Sequence, residues 1–288
     1  MAKRTVALLY DFDKTLCTTD MQEYDFIKNL NLTPAEFWGE TGVYTEKYEM
    51  DKILSYMFMM IKKCREKGIK LTEDYLRECG RNVVLYKGVA TWFERINEFG
   101  KNLDLNVEHY IISSGVTEII EGTPIAKHFK RIYGCKFLYD EETKEAIWPA
   151  LSINYTLKTQ YLFRISKGVL DVTNDDDLNK HQLDSLRKVD YKNMIYFGDG
   201  ITDIPCMKLL KEKGGKAIAV YKPGKGEKVL NLVQDSRINY VAIADYSQDS
   251  ALEKIVKMNL EKIAIMGQLE EKEERQVKQF LRVNDNEN

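Results

Sequence analysis

The chain reads as an α/β protein: a parallel sheet with helices on both faces, interrupted by an inserted all-helical block. Three observations predict this. Short apolar runs recur at wide spacing with helix-patterned segments between them, the pattern of strands joined by right-handed crossovers. The first run, Val6-Ala7-Leu8-Leu9-Tyr10, is apolar without alternation, as a strand buried on both faces must be. Two of the runs end in paired aspartates, Asp11-Phe12-Asp13 and Gly198-Asp199-Gly200-Ile201-Thr202-Asp203, and the carboxyl ends of strands are where open α/β sheets bind their ligands.

The elements follow in order. After Val6–Tyr10, residues 20–85 leave the strand–helix alternation and read as consecutive helices over Met21–Leu30, Pro34–Trp38, Tyr44–Lys67 and Glu73–Val84. Thr33-Pro34 and Thr72-Glu73 are start signals and Gly68 a stop. Met57-Phe58-Met59-Met60-Ile61 is apolar all round and belongs at the centre of that block. A helix over Trp92–Phe99 leads to the strands His109–Ser113 and Lys136–Tyr139, and residues 140–150 form a hairpin turn before Ile147-Trp148-Pro149. A helix opens near Lys158, and 173–190, with Asp175-Asp176-Asp177, is a solvated loop and helix. The strands Met194–Phe197, Ala217–Tyr221 and Tyr240–Asp245 follow. Residues 251–282 are charged with apolar residues at helical spacing, so they form C-terminal helices that dock on the core or mediate self-association into a homo-oligomer.

Size and charge bound the function. The chain's 288 residues exceed one average domain, and one core with a smaller insert is the simplest division. Lys+Arg of 43 against Asp+Glu of 45 gives a net charge of −2 and no basic surface for nucleic acid. No stretch is long and apolar enough for a membrane span, and the first strand follows the N-terminus without a signal-peptide h-region, so a cytoplasmic protein is expected. The five cysteines are scattered, odd in number and without a CxxC pair, which suits reduced thiols used as small apolar residues. The three histidines are not spaced as a zinc site.

Paired carboxylates at strand ends can act as nucleophile, proton carrier or ligands of a hard cation; a helix N-cap is the plainer use of one such acid. Ser113-Ser114-Gly115 ends another apolar run and is expected to open a helix, where either serine could meet an anion or cap the helix. Lys158 stands before the apolar helix Tyr161-Leu162-Phe163-Ile165, and Lys167, before Gly168, is the alternative lysine.

These pieces, Asp-Phe-Asp-Lys-Thr at 11–15, Ser113, a helix-opening lysine and Gly-Asp-Gly-Ile-Thr-Asp at 198–203, come in the order of the four motifs of the haloacid dehalogenase-like phosphohydrolase superfamily. The resemblance covers the whole core, and the first and last motifs carry most of its specificity. It implies a Rossmann-like core over 1–18 and 86–288, with 251–288 a C-terminal extension, and a C1-type helical cap over 19–85. It implies Asp11 as the nucleophile that forms an aspartyl-phosphate and Asp13 as general acid and base. Thr15 would orient Asp13, and Ser113, or Ser114 with the Gly115 amide, would meet the phosphoryl group. Lys158 would offset charge, and Mg²⁺ would be held by Asp11, Asp13 through its backbone carbonyl, Asp199 and Asp203. The expected partner is a small phosphorylated metabolite. A phosphotransferase or mutase of the same superfamily, and a non-catalytic phosphometabolite-binding protein, are the rival readings.

The insert is most similar to the phosphoserine phosphatase-like branch. That branch places a Glu where this chain has Asp20, facing the substrate amine, so the shorter acid departs from its pattern. Arg65, Arg77 and Arg81 are candidates for a partner arginine, and Tyr24, Phe37 and Trp38 for aromatic lining of the cap.

Overall fold

The structure, a computed structural model, describes residues 3–285; residues 1–2 and 286–288, the outer ends of the expected core and C-terminal extension, lie outside the described residues. Its sheet is built from β1 (Arg4–Tyr10), β2 (Leu105–Val116), β3 (Arg131–Tyr139), β4 (Ala146–Leu151), β5 (Met194–Gly198), β6 (Lys216–Tyr221) and β7 (Tyr240–Ile243). They lie in the spatial order β4-β3-β2-β1-β5-β6-β7, and every pairing is parallel except that of β3 with β4. That one antiparallel pair is the hairpin anticipated at 140–150, its turn held by Asp140, whose Oδ1 accepts the Glu142 and Thr143 amides.

From β1 the chain works outward to β2 and β3; from β5 it works outward the other way to β6 and β7. The order therefore reverses between β1 and β5, the position where an open sheet parts its connecting helices and leaves a crevice. Leu9 pairs with Tyr196 and Tyr10 with Phe197, and the Asp11 amide donates to the Phe197 carbonyl at 2.9 Å. This register sets the acids that follow the two strands side by side.

Helices α1 (Phe26–Asn29), α2 (Pro34–Tyr48), α3 (Lys52–Glu66) and α4 (Glu73–Arg81) all fall between β1 and β2. The two ends of this insert meet at a bridge between Cys17 and Leu85, with Thr18 N–H donating to Val84 O and Tyr86 N–H to Leu16 O. Its helices divide differently from expectation. The first is a 3₁₀ turn at Met21–Glu23 followed by the short α1, because the Tyr24 hydroxyl is bound by the Thr18 and Thr19 amides and bends the chain. The break expected at 39–43 lies instead at 49–51, where Glu49 takes a positive φ of 51° and Asp51 caps the Ile53 and Leu54 amides. Gly39 and Gly42 sit within α2 with no neighbour a Cβ would meet. Of the apolar run in α3, Met57, Met59, Met60 and Ile61 are buried and Phe58 is exposed.

The insert is seated on the core by a close backbone crossing. α4 packs on α6 (Thr117–Glu121), with α5 (Val89–Asn102) preceding β2. A Cβ on Gly80 would lie 2.1 Å from Ile119 O, and one on Gly122 would lie 1.9 Å from Arg77 O, so only glycine permits this approach. Arg77 adds a 2.9 Å ion pair to Glu121 across the crossing.

The remaining helices are α7 (Lys158–Lys167), α8 (Asp175–Asn179), α9 (Ile204–Glu212), α10 (Leu230–Gln234) and α11 (Ala251–Asp285). The C-terminal segment is one helix of 35 residues, not several, since no Gly or Pro turn interrupts it and Gly267 lies against Arg4 within the helix. Its Leu252, Val256, Leu260 and Ile263 are buried, at the three- and four-residue spacing of one face. Arg4 and Lys192 both pair with Glu270, at 2.8 and 2.7 Å. No helix among the described residues is long and apolar enough to cross a membrane.

Beneath the site, a chain of hydrogen bonds fixes the centre of the sheet. Trp92 Nε1 donates to the Tyr10 hydroxyl at 2.9 Å, that hydroxyl meets His109 Nδ1 at 3.1 Å, and His109 Nε2 meets Asn97 Oδ1 at 2.9 Å. Burial lowers the His109 pKa from its ordinary 6.5 to about 3, so the ring is neutral in the fold. The unfolded chain takes up a proton near pH 6.5 that the folded one refuses, so this site destabilises the fold as pH falls from 6.5 towards 3. Thermal melts across that range should show a steeper loss for the wild type than for His109→Gln; parallel curves would show that the ring titrates as in an unfolded peptide.

Candidate active site

Asp11 leaves β1 with its backbone still in the ladder to β5, and the chain then turns sharply. The Thr15, Leu16 and Cys17 amides all donate to Phe12 O, and Lys14 takes a positive φ of 57°. This turn aims Asp11 and Asp13 in different directions. Asp11 faces inward, 4% exposed, with Oδ1 at 3.0 Å from Lys158 Nζ. Asp13 faces the insert, where its Oδ1 accepts the Met21 amide at 2.7 Å.

Lys158 is the first residue of α7 and is fully buried. Asn154 sets the helix start: its Oδ1 accepts the Leu157 amide and its carbonyl the Lys158 amide. The ammonium is shared by two carboxylates, with Asp203 Oδ1 at 2.8 Å as well as Asp11. Burial alone would lower its pKa, but Asp11 and Asp203 raise it, so the group stays charged. Lys167 has no part in this: it ends α7 and gives its protons to the carbonyls of Leu178 and Lys180.

Asp199 and Asp203 follow β5. Asp203 is fully buried, with Oδ1 held by Lys158 and by the Tyr196 hydroxyl at 2.8 Å. Its second oxygen, Oδ2, is buried without a partner. Gly198 makes this position available, because a Cβ there would stand 2.3 Å from that same oxygen. Carboxylate oxygens of Asp11, Asp199 and Asp203 lie within 4.8 Å of one another. With all three ionised against the one positive charge of Lys158, the cluster would carry a net of two negative charges in a buried place, which is costly. Burial, then Asp203 and Asp11, push Asp199 up to about 8. Burial and Asp203 push Asp11 up to about 6 against the opposing pull of Lys158. Oxygen-only donors around an orphaned carboxylate oxygen suit a hard divalent cation. The Asp13 carboxylate is not one of the three.

Burial also raises Asp13 well above the usual carboxylate range, with Asp20 and Asp11 adding to the effect. Asp20 itself is held by Lys14 Nζ at 2.5 Å. Thr15 is buried, its carbonyl accepting from the Tyr246 hydroxyl at 2.9 Å and its own hydroxyl oxygen unpartnered.

Ser113, Ser114 and Gly115 do not open a helix. β2 runs on to Val116, with an irregularity in its pairing to β3 between Ile112 and Val116, and α6 begins at Thr117. The extension follows from pairing: Val116 still meets Cys135 on β3. The Ser113 hydroxyl oxygen accepts the Gly115 amide at 3.0 Å, which leaves its own proton free to donate. Gly115 lies against the turn after β1, where a Cβ would come 3.0 Å from Asp13 Oδ2. Ser114 borders a different space, its carbonyl accepting from the Tyr56 hydroxyl of α3 at 2.7 Å.

That space is a cavity of about 510 Å³ between insert and core, reached by Asp13, Asp20 and Ser114. Trp38 lines it as expected. Tyr24 and Phe37 do not: the first is tied to the Thr18 and Thr19 amides, the second is fully buried. None of the three candidate arginines lines it either; Arg77 and Arg81 pair with acids of the insert and of α6, and Lys52 is the cation on the cavity wall. Sequence reasoning missed Tyr196, Gln22 and Tyr56. Tyr196 was absorbed into an apolar run; a phenol in a doubly buried strand two residues before Gly198 was the available signal, since a buried hydroxyl needs a partner.

A family model of the haloacid dehalogenase-like hydrolases matches residues 8–208, and the chain belongs to that family. Over 286 residues, 90% of this chain and 97% of the relative, it is 26% identical to an uncharacterised protein of Borreliella burgdorferi. Among solved structures it is similar to a haloacid dehalogenase family hydrolase of Salmonella enterica serovar Typhi, at 16% identity and a TM-score of 0.53, over 82% of this chain and 66% of that one. This chain thus spans just under two thirds of the Salmonella protein. It is also similar to a phosphoserine phosphatase carrying an analogue of its phospho-aspartyl intermediate, at 14% identity and a TM-score of 0.52, over 89% of this chain and 99% of that one. At such identities the likeness is one of fold.

The raised carboxyls have a consequence for stability. Without a bound cation, the folded protein keeps protons on Asp199 and Asp11 that the unfolded chain releases near pH 4, so these groups destabilise the fold increasingly as pH rises from about 4 to about 8. In chelator, Asp199→Asn should flatten that part of the wild-type melting curve; an unchanged slope would show that Asp199 ionises freely in the fold.

Proposed function

We propose that the protein is a Mg²⁺-dependent phosphatase that hydrolyses a small phosphomonoester through an aspartyl-phosphate on Asp11. The observation that carries this reading is the contrast between two acids two residues apart. Asp11 is buried against the Lys158 ammonium and remains a carboxylate at neutral pH; Asp13, in a site that raises it well above the usual range, favours its acid form at the mouth of a cavity. Carboxyls driven apart in this way divide the roles of nucleophile and acid.

In the first step an Asp11 oxygen bonds to phosphorus while the bond from phosphorus to the ester oxygen breaks, and the Asp13 proton goes to the departing alkoxide. In the second, water attacks the same phosphorus, gives its proton to Asp13, and releases inorganic phosphate from Asp11. The Met21 amide holds Asp13 in place for both transfers. Ser113, its proton free, donates to a phosphoryl oxygen, and Lys158 offsets the charge that gathers around Asp11. Mg²⁺, when held by Asp11, Asp199, Asp203 and the Asp13 carbonyl, would neutralise the phosphoryl oxygens and the net charge of the cluster. The phosphoserine phosphatase of like fold carries a phospho-aspartyl analogue, which supports the same route here.

Phosphate release from p-nitrophenyl phosphate with Mg²⁺ should vanish in Asp11→Asn and fall by about 10²–10⁴-fold in Asp13→Asn. EDTA should stop it and Mg²⁺ restore it. Turnover retained in Asp11→Asn would remove the nucleophile, and full activity in chelator would remove the metal.

A further inference from the structure

We infer that the leaving group of the substrate is a neutral, hydroxyl-rich ring, so that this chain is a phosphatase of monosaccharide phosphates; the inference rests on the phosphatase reading above. It starts from two atoms. Gln22 is 2% exposed and borders the cavity, and its Oε1 has no hydrogen-bond partner. Ser114 borders the same cavity, and its hydroxyl oxygen is likewise buried and unpartnered. Buried polar groups are normally hydrogen-bonded, so two without a protein partner beside Asp13 point to a ligand that completes them.

Both groups are neutral. An ammonium or carboxylate stripped of water against a neutral amide and a hydroxyl is poorly compensated. An alcohol hydroxyl, which donates and accepts, satisfies either group. Of the charged side chains on the cavity wall, Asp13 takes part in the reaction and Asp20 is paired with Lys14; the other two, Glu46 and Lys52, are exposed and of opposite sign. Among the described residues no arginine lines the space to hold a carboxylate by two bonds.

The rest of the wall suits a ring. Trp38 and Tyr56 stand nearly perpendicular, at 73° with centroids 6.1 Å apart, and make an aromatic corner. Both are fixed, Trp38 by its Nε1 bond to Glu23 and Tyr56 by its hydroxyl bond to the Ser114 carbonyl. An aromatic face packs against the C–H face of a sugar while polar neighbours take its hydroxyls. A volume of about 510 Å³ is also more than a three-carbon amino alcohol fills.

The test is kcat/KM with Mg²⁺ for hexose and pentose monophosphates, nucleoside 5′-monophosphates, O-phosphoserine and p-nitrophenyl phosphate, in wild type, Gln22→Leu and Trp38→Leu, with folding checked by thermal melts. At least one monosaccharide phosphate should exceed phosphoserine and the nucleotides by about tenfold or more. Each variant should lower the ratio of kcat/KM for that sugar phosphate to that for p-nitrophenyl phosphate by about tenfold, chiefly through KM. Preference for phosphoserine or for nucleotides, or a ratio unchanged in folded variants, would overturn the inference while Asp11-dependent turnover of p-nitrophenyl phosphate upheld the phosphatase reading. No turnover of any compound would overturn both.

Discussion

Everything in this site depends on one ammonium group without access to water. Lys158 is fully buried and pairs with both Asp11 and Asp203. A lone buried ammonium would lose its proton, and lone buried carboxylates would gain one. Together they hold their charges, and Asp199, within reach of the same two acids, is pushed up to about 8 because its ionisation would add an uncompensated negative charge in a buried place. Such a cluster is weak evidence of stability, since replacing buried ions by apolar groups often stabilises a fold. It is much better matched to a cation and a phosphoryl group.

The sheet is what makes that cluster possible. A reversal of strand order between β1 and β5 places two strand ends next to each other at the crevice where the connecting helices part. The register then brings Asp11 beside Gly198, and the missing side chain at Gly198 lets Asp203 fold back against the backbone. Tyr196, facing inward from β5, fixes which Asp203 oxygen is committed to Lys158 and which is left open. Above this centre the insert supplies the surroundings of Asp13: the Met21 amide bonds to it, and the acids and aromatics of the cavity surround the approach. The insert is seated on the core where α4 crosses α6 at Gly80 and Gly122, with Arg77 paired to Glu121 across the crossing.

Much of this was legible in the chain. The doubly buried strands announced themselves by continuous apolar runs, and Asp11, Asp13, Asp199 and Asp203 by following them, because a charge at the end of such a strand needs a reason. Lys158 was separable from Lys167 only by its place ahead of an apolar helix. Less was legible where long-range pairing decided the outcome. Ser113 to Gly115 looked like a helix start, since Ser and Gly favour caps, but β3 kept that segment in the sheet as far as Val116. The helix expected to end at Trp38 runs on to Tyr48, and the break comes at the cap on Asp51. The hydrogen-bond roles of Gln22, Tyr56 and Tyr196 depend on contacts across the fold, which periodicity does not encode.

The central claim is that Asp11 is covalently phosphorylated in the catalytic cycle. Its most direct test is mass spectrometry of protein mixed with a phosphorylated substrate and Mg²⁺, quenched in acid and cleaved to peptides. The account predicts the added mass of one phosphoryl group on the peptide bearing Asp11, absent when Mg²⁺ is withheld. Turnover with no modified Asp11 peptide, or a phosphoryl group on another residue, would contradict it.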